Sequence, residues 1–206
     1  MKTSKDIATI GLIAICGYIA SQILSDIGSV KIATLLGFSI DGGTFLYPIT
    51  FTLRDLIHKQ FGKITARKII ILAGIINLIM VAFFQILTRI PADSSWTFNN
   101  EFTLILGAVW RITIASIIAE IFSELIDTEA YQFFIDKISK KFQWGRVLFS
   151  NAIALPIDSI IFAFIAFIGT LPMSVIWSIV LSNIIVKGII TLFSIPLIYT
   201  VPERED

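Results

Sequence analysis

Ser116, Glu120, Glu124 and Asp127 are spaced by 4, 4 and 3 residues within a largely apolar run. On a helix that spacing puts all four on one face. Two carboxylates at i and i+4 repel each other when both are ionised, so the stripe asks for a bound proton or a cation. Arg54, Arg111, Lys187, a substrate amine or a transported ion would each answer. Two readings stand side by side: a substrate-binding or coupling site, and an internal ion-pair network that holds the chain together. Asp158 sits between Leu155 and Ile160, and Lys187 among Ile184, Ile185, Ile189 and Ile190, so both raise the same question. An ionisable side chain at the middle of a bilayer costs at least about 2.5–3.5 kcal/mol on insertion scales. Each one therefore needs a partner, a water-filled cavity or a ligand. Lys187 lies near the middle of its apolar run, too deep to snorkel to an interface, so a partner is expected. Arg54 and Asp55 interrupt another run, and Gln22, Asn77, Gln85, Asn151 and Asn183 are uncharged companions. His58, beside Lys59, reads as an interfacial residue.

The chemistry of soluble enzymes has no foothold here. The chain holds no Walker loop, no GxGxxG, no CxxC and no HExxH. One His and one Cys cannot build a common transition-metal site, and a single Cys cannot close an internal disulfide. Cys16, inside an apolar run, reads as a small core residue. No enzymatic activity and no cofactor are expected. A net charge of +1 argues against nucleic acid or any other polyanionic partner. Charged residues make up only 15% of the 206 residues, against roughly 25% in soluble domains. That is too few to coat a water-facing surface, and the lipid bilayer becomes the expected surroundings.

The elements that must position these polar residues follow from length. A membrane helix needs about 20 mainly apolar residues. Six candidates give an all-α integral membrane protein, at about residues 7–25, 42–59, 68–88, 102–125, 147–169 and 172–199. The short connections make the whole chain, 1–206, one transmembrane domain. The first candidate reads as an uncleaved helix rather than a signal peptide. The second is the weakest, because Arg54 and Asp55 interrupt it, Gly42-Gly43 opens it and Pro48 lies inside it. Pro48 predicts either a cavity-lining break or a plain kink. The stretch from Ile27 to Asp41 is too short to span and reads as an interfacial helix or a strand-like connector. The N-terminal segment, the second and fourth connections and the C-terminal tail carry eleven Lys and Arg, while the opposite side has only Lys31 and Arg89. By the positive-inside rule both termini are cytoplasmic. Trp96, Trp110, Trp144 and Trp177 fall on the outer side or near span ends, where interfacial anchoring is the default.

Three blocks in order resemble one family. The first is Gly37-Phe38, then Gly43-Thr44-Phe45-Leu46-Tyr47-Pro48-Ile49-Thr50-Phe51, Asp55, Phe61-Gly62 and Ala66-Arg67-Lys68-Ile69-Ile70. The second is Arg111-Ile112, Ala115-Ser116, Ala119 and Asp127. The third is Ser150-Asn151, Asp158-Ser159, Phe162 and Ile165-Ala166-Phe167, with Lys187 following in the last helix. Together they resemble the queuosine precursor transporter family, also called vitamin uptake transporter-like, over about residues 37–197. The resemblance implies six helices in a bacterial cytoplasmic membrane. It also implies import of a small-molecule nucleobase, a 7-deazaguanine in its cyano or aminomethyl form, for queuosine in tRNA. It makes Asp55, Arg111, Ser116, Asp127, Asn151, Asp158 and Lys187 the substrate-binding candidates. Glu120 and Glu124 join them as departures from the expected pattern, and extra carboxylates suit a cationic aminomethyl group.

A deazaguanine offers N1–H and an exocyclic amine as adjacent donors. A buried carboxylate accepts both, and Phe or Tyr can stack on the ring. Asp55, Asp127, Asp158 or Glu120 is the expected carboxylate. The rival readings are a substrate-binding subunit of an energy-coupling-factor transporter and a membrane assembly protein without transport. Against the first, Ala8, Ala14 and Ala20 are spaced by six rather than four, so the Ala-xxx-Ala contact surface of many such subunits is missing. Proton coupling and facilitated diffusion both remain open, and so does assembly into a homo-oligomer.

Overall fold

The computed structural model describes residues 4–138 and 143–198. The chain is mostly helical. In order it forms α1 (Ser4–Gly28), β1 (Ile32–Leu35), β2 (Phe38–Asp41), a 3-10 turn (Gly42–Phe45), α2 (Tyr47–Leu87), α3 (Asn99–Leu106), α4 (Val109–Lys137), α5 (Gln143–Phe167) and α6 (Met173–Ile198). Among the described residues five segments are long and apolar enough to cross a membrane: Thr9–Gly28, Ile64–Leu87, Asn99–Asp127, Val147–Phe167 and Met173–Phe193.

The expected span at 42–59 is not among them. Its start is the 3-10 turn, and the rest is the first arm of α2, up to a break at Gly62 (φ 80°, ψ 165°). That backbone region is open essentially to glycine alone. The expected second connection around Lys59–Lys68 is therefore a one-residue interruption, with helix on both sides. The first arm, Tyr47–Phe61, rises about 22 Å at 1.5 Å per residue, short of the ~30 Å hydrocarbon core. Pro48 is neither a kink nor a mid-helix break. It stands in the first turn of α2, where its missing N–H leaves no helix bond unmade.

The stretch expected as a connector is strand-like: β1 and β2 pair antiparallel, Ile32 opposite Asp41 and Leu35 opposite Phe38. The two residues between them, Leu36 and Gly37, both have positive φ, 51° and 84°, as a tight hairpin turn demands. The hairpin does not lie on the surface along its whole length. Leu36 at the tip is exposed, whereas Ile40 and Asp41 at the base are buried. The base is bonded to α6: the Ser39 amide donates to Ser178 Oγ (2.7 Å) and the Ser182 hydroxyl donates to the Ser39 carbonyl (2.9 Å).

Two apolar clusters hold the helices. One joins α4, α5 and α6 through Ile112, Ala115, Ala119, Phe162, Ala163, Ala166, Ile176 and Ile179. The other joins α1 to both arms of α2 through Ala14, Tyr18, Ile57, Ala66 and Ala73. Small residues at the contacts let helices approach closely, which is how membrane helices gain packing energy without a hydrophobic drive. Residues on the opposite faces, such as Leu12, Ile79, Phe83, Trp177 and Leu192, are exposed, as lipid-facing side chains should be. Cys16 is on that outward side of α1 and not in the core. In a bilayer an apolar side chain loses nothing by facing out, so hydrophobicity did not reveal its direction.

Candidate functional site

The polar residues collect where the two clusters meet. On α6 the inward stripe runs Ile176, Ile179, Val180, Asn183 and Lys187. The helical period thus carries Asn183 and Lys187 onto the same face as the apolar core residues. On α5 the stripe is Asp158, Phe162 and Ala166, and on α4 it is Ile112, Ala115, Ser116 and Ala119. Pro156 lies inside α5 without ending it. These three faces, the C-terminal end of α1, the hairpin base and the start of α2 enclose a cavity. It is narrow in this conformation, its roughly 290 Å³ of empty space counting the gaps between side chains and the open mouth, and is lined by Asp26, Asp41, Thr44, Tyr47, Ser116, Asp158, Phe162, Asn183 and Lys187 among others.

Within it the partner expected for Lys187 is present. Its ammonium is paired with Asp158 Oδ2, both side chains being buried, and lies 4.9 Å from the centre of the Tyr47 ring. The other Asp158 oxygen, Oδ1, is buried with no hydrogen-bond partner. Asp26 is in the same position: Oδ1 accepts from Ser116 Oγ at 2.8 Å, while Oδ2 is buried and open. Thr113, also buried, adjoins this carboxylate without a hydrogen bond of normal geometry. Asp41 is fully used. Its two oxygens accept from Ser29 Oγ and Thr44 Oγ1, each at 2.7 Å, and Thr44 also bonds Asn183 on α6. Asp41 is thus the latch that ties the hairpin base to α1 and α6.

The stripe on α4 divides. Ser116 reaches Asp26 in this cavity. Glu120, one turn on, enters a seam with α1 and α2. It accepts from the Tyr18 hydroxyl (2.8 Å) and the Gln22 amide (3.2 Å), and Asn77 donates to Gln22 (3.2 Å). Asp127 lines a second cavity, a cleft too tight in this conformation for a water molecule, with Phe51, Arg54, Ser123, Asn151 and Asp158. Arg54 lies 5.2 Å from the Phe51 ring centre. Asp158 is common to both cavities. The side chains of Asp55, Glu124 and His58 lie outside the described residues.

Arg111 is elsewhere. Its guanidinium donates to the carbonyls of Ile165 (2.9 Å) and Ile168, at the C-terminal end of α5. A cation there satisfies carbonyls that the helix leaves unbonded and complements the helix dipole. Of the candidates, then, Ser116, Asp158 and Lys187 share the first cavity and Asp127, Asn151 and Asp158 the second, while Glu120 and Arg111 bind other partners. Arg111→Ala should lower stability by about 1–3 kcal/mol. It should leave ligand affinity within error, as thermal unfolding with and without ligand would report.

Sequence reasoning missed Asp26, Asp41, Thr44 and Tyr47. The signal for Asp26 was available: Tyr18, Gln22 and Asp26 are spaced by four, a polar stripe on α1 facing the one on α4. An expected span end at Ser25 hid it. Asp41 and Thr44 depend on a hairpin that folds inward, which no periodicity reports.

The cavity is lined by two aromatic side chains, Tyr47 and Phe162, and by two carboxylates that each have an oxygen without a hydrogen bond. It suits a flat ligand rich in hydrogen-bond donors. Residues 41–201 match the family described as "Putative vitamin uptake transporter". The chain is also 28% identical over 199 residues to the "Probable queuosine precursor transporter" of Bacillus subtilis (strain 168), covering 95% of this chain and 85% of that protein. No solved structure matches it.

Proposed function

Because this chain belongs to the vitamin uptake transporter family, a family of multi-pass membrane transporters, we propose that it imports a queuosine precursor. The substrate would be a 7-deazaguanine base in the cyano or aminomethyl form, destined for tRNA modification. The name of the Bacillus subtilis relative supports the substrate class. The observation that carries the reading is the open Oδ1 of Asp158, buried in a cavity that Tyr47 and Phe162 also line. Of the carboxylates considered from sequence whose side chains are described, Asp127, Asp158 and Glu120, Asp158 is the one that lines that cavity. Its open oxygen accepts one donor of the N1–H and exocyclic amine edge while Oδ2 stays with Lys187, and the aromatic rings take the faces of the base.

The proposal extends to the setting. The whole chain acts as one domain in the bacterial cytoplasmic membrane with six crossings, the sixth made by the 3-10 turn (Gly42–Phe45) and the first arm of α2 (Tyr47–Phe61) together. Both termini face the cytoplasm, as the excess of Lys and Arg on that side supports. The hairpin and the first cavity then lie toward the outer face, and the second cavity toward the cytoplasm.

The test is uptake of labelled deazaguanine by cells that lack any energy-coupling module, with Asp158→Asn, Asp127→Asn, Asp55→Asn and Glu120→Gln. Asp158→Asn should reduce uptake at least about tenfold, the loss of a charge-assisted bond. Unchanged uptake in all four would sink the carboxylate role.

A further inference from the structure

The first cavity holds more acid than the ring edge of a base requires. Asp26, Asp41, Asp158 and Lys187 line it, three carboxylates and one ammonium. Asp41 spends both oxygens on Ser29 and Thr44. Lys187 is taken by Asp158. That leaves Asp158 Oδ1 and Asp26 Oδ2, on residues 0% and 2% exposed, without a hydrogen bond of normal geometry, although the Thr113 hydroxyl adjoins Asp26. A buried carboxylate oxygen with no donor is costly, and the native protein keeps one only where something supplies the donor. If Asp158 takes the ring edge, Asp26 remains. Among the described residues no three acidic, His or Cys side chains are grouped to hold a metal ion.

We propose that the first cavity selects its ligand by charge, Asp26 receiving a positively charged amine. The aminomethyl form of the base is then taken in preference to the cyano form. The ring identity rests on the reading above; the charge selection does not. An aminomethyl group is an ammonium at neutral pH and brings three donors to Asp26 Oδ2. A nitrile is an acceptor only. It would set its lone pair against a carboxylate and leave that oxygen unpaired, and unpaired buried groups are the strongest basis for rejecting a close analogue. Tyr47 adds a ring face that already attracts the Lys187 ammonium.

The experiment is ligand-dependent thermal stabilisation of the purified full chain. The ligands are the aminomethyl, hydroxymethyl and cyano deazaguanines, together with benzylamine and benzyl alcohol. The hydroxymethyl form matches the aminomethyl form in size and lacks its charge. The expected result is aminomethyl affinity at least about tenfold above both neutral forms. In Asp26→Asn, compared at matched unliganded stability, the ratio falls toward one. Equal affinity for charged and neutral bases in the native protein overturns charge selection and leaves the deazaguanine reading standing. Stabilisation by benzylamine over benzyl alcohol, with no base binding, does the reverse. No shift with any compound, from folded protein, overturns both.

Discussion

Lys187→Met is expected to cost about 3–5 kcal/mol of stability, the usual penalty for stranding one member of a buried ion pair. The pair is Lys187 with Asp158, 3% and 1% exposed at their side chains. Removing the ammonium leaves a carboxylate with neither water nor cation around it. Asp158→Leu should cost a similar amount, for the converse reason. The double variant Lys187→Met/Asp158→Leu should regain most of the loss, because replacing both partners by apolar groups is often neutral or better. The two effects should therefore be strongly non-additive in a double-mutant cycle of unfolding free energies. Uptake should behave differently and stay lost in Asp158→Leu and in the double variant, which both lack the carboxylate proposed to hold the ligand. Additive stability losses would mean that the two side chains do not form a pair.

The second large effect is at Gly43. A β-carbon there would meet Ser29 Oγ, the Ser25 carbonyl and Asp41 Oδ1. One of these is helix backbone, which cannot step aside, and the other two form the Ser29–Asp41 bond of the latch. Gly43→Ala should cost about 1–3 kcal/mol from overpacking alone. It should also cost at least about tenfold in uptake, because the hairpin base can no longer seat against α1. Gly74, with nothing within 4 Å of its would-be β-carbon, is the control. Gly74→Ala should be neutral or stabilising by up to about 1 kcal/mol, the ordinary helix preference for Ala. Thermal unfolding and uptake of both variants check the contrast.

The long helices were legible because lipid imposes a simple rule: about 20 apolar residues, with charges at the ends. The runs at 68–88, 147–169 and 172–199 correspond closely to the second arm of α2, α5 and α6. The partnership of Lys187 was legible for a related reason, since an ammonium among four isoleucines has to be paired. Where the rule was misleading, the backbone departs from a plain span. The turn at Gly42–Phe45, the break at Gly62 and the inward hairpin depend on contacts between segments distant in sequence. Arg111 shows the limit for the site. Its place in a resembling block suggested a ligand contact, but its bonds go to the carbonyls of Ile165 and Ile168, 54 and 57 residues away in sequence. A guanidinium within reach of a helix end has a use there that the sequence of its own helix does not disclose.

Asp158 borders both cavities, and this has a consequence for genetics. Alleles at Ser116 or Asp26 touch only the first cavity, and alleles at Asn151 or Asp127 only the second. If the first cavity serves entry and the second release, a screen that scores the two steps separately should sort those four alleles into two classes. Asp158 falls into neither. An allele there should then affect both steps.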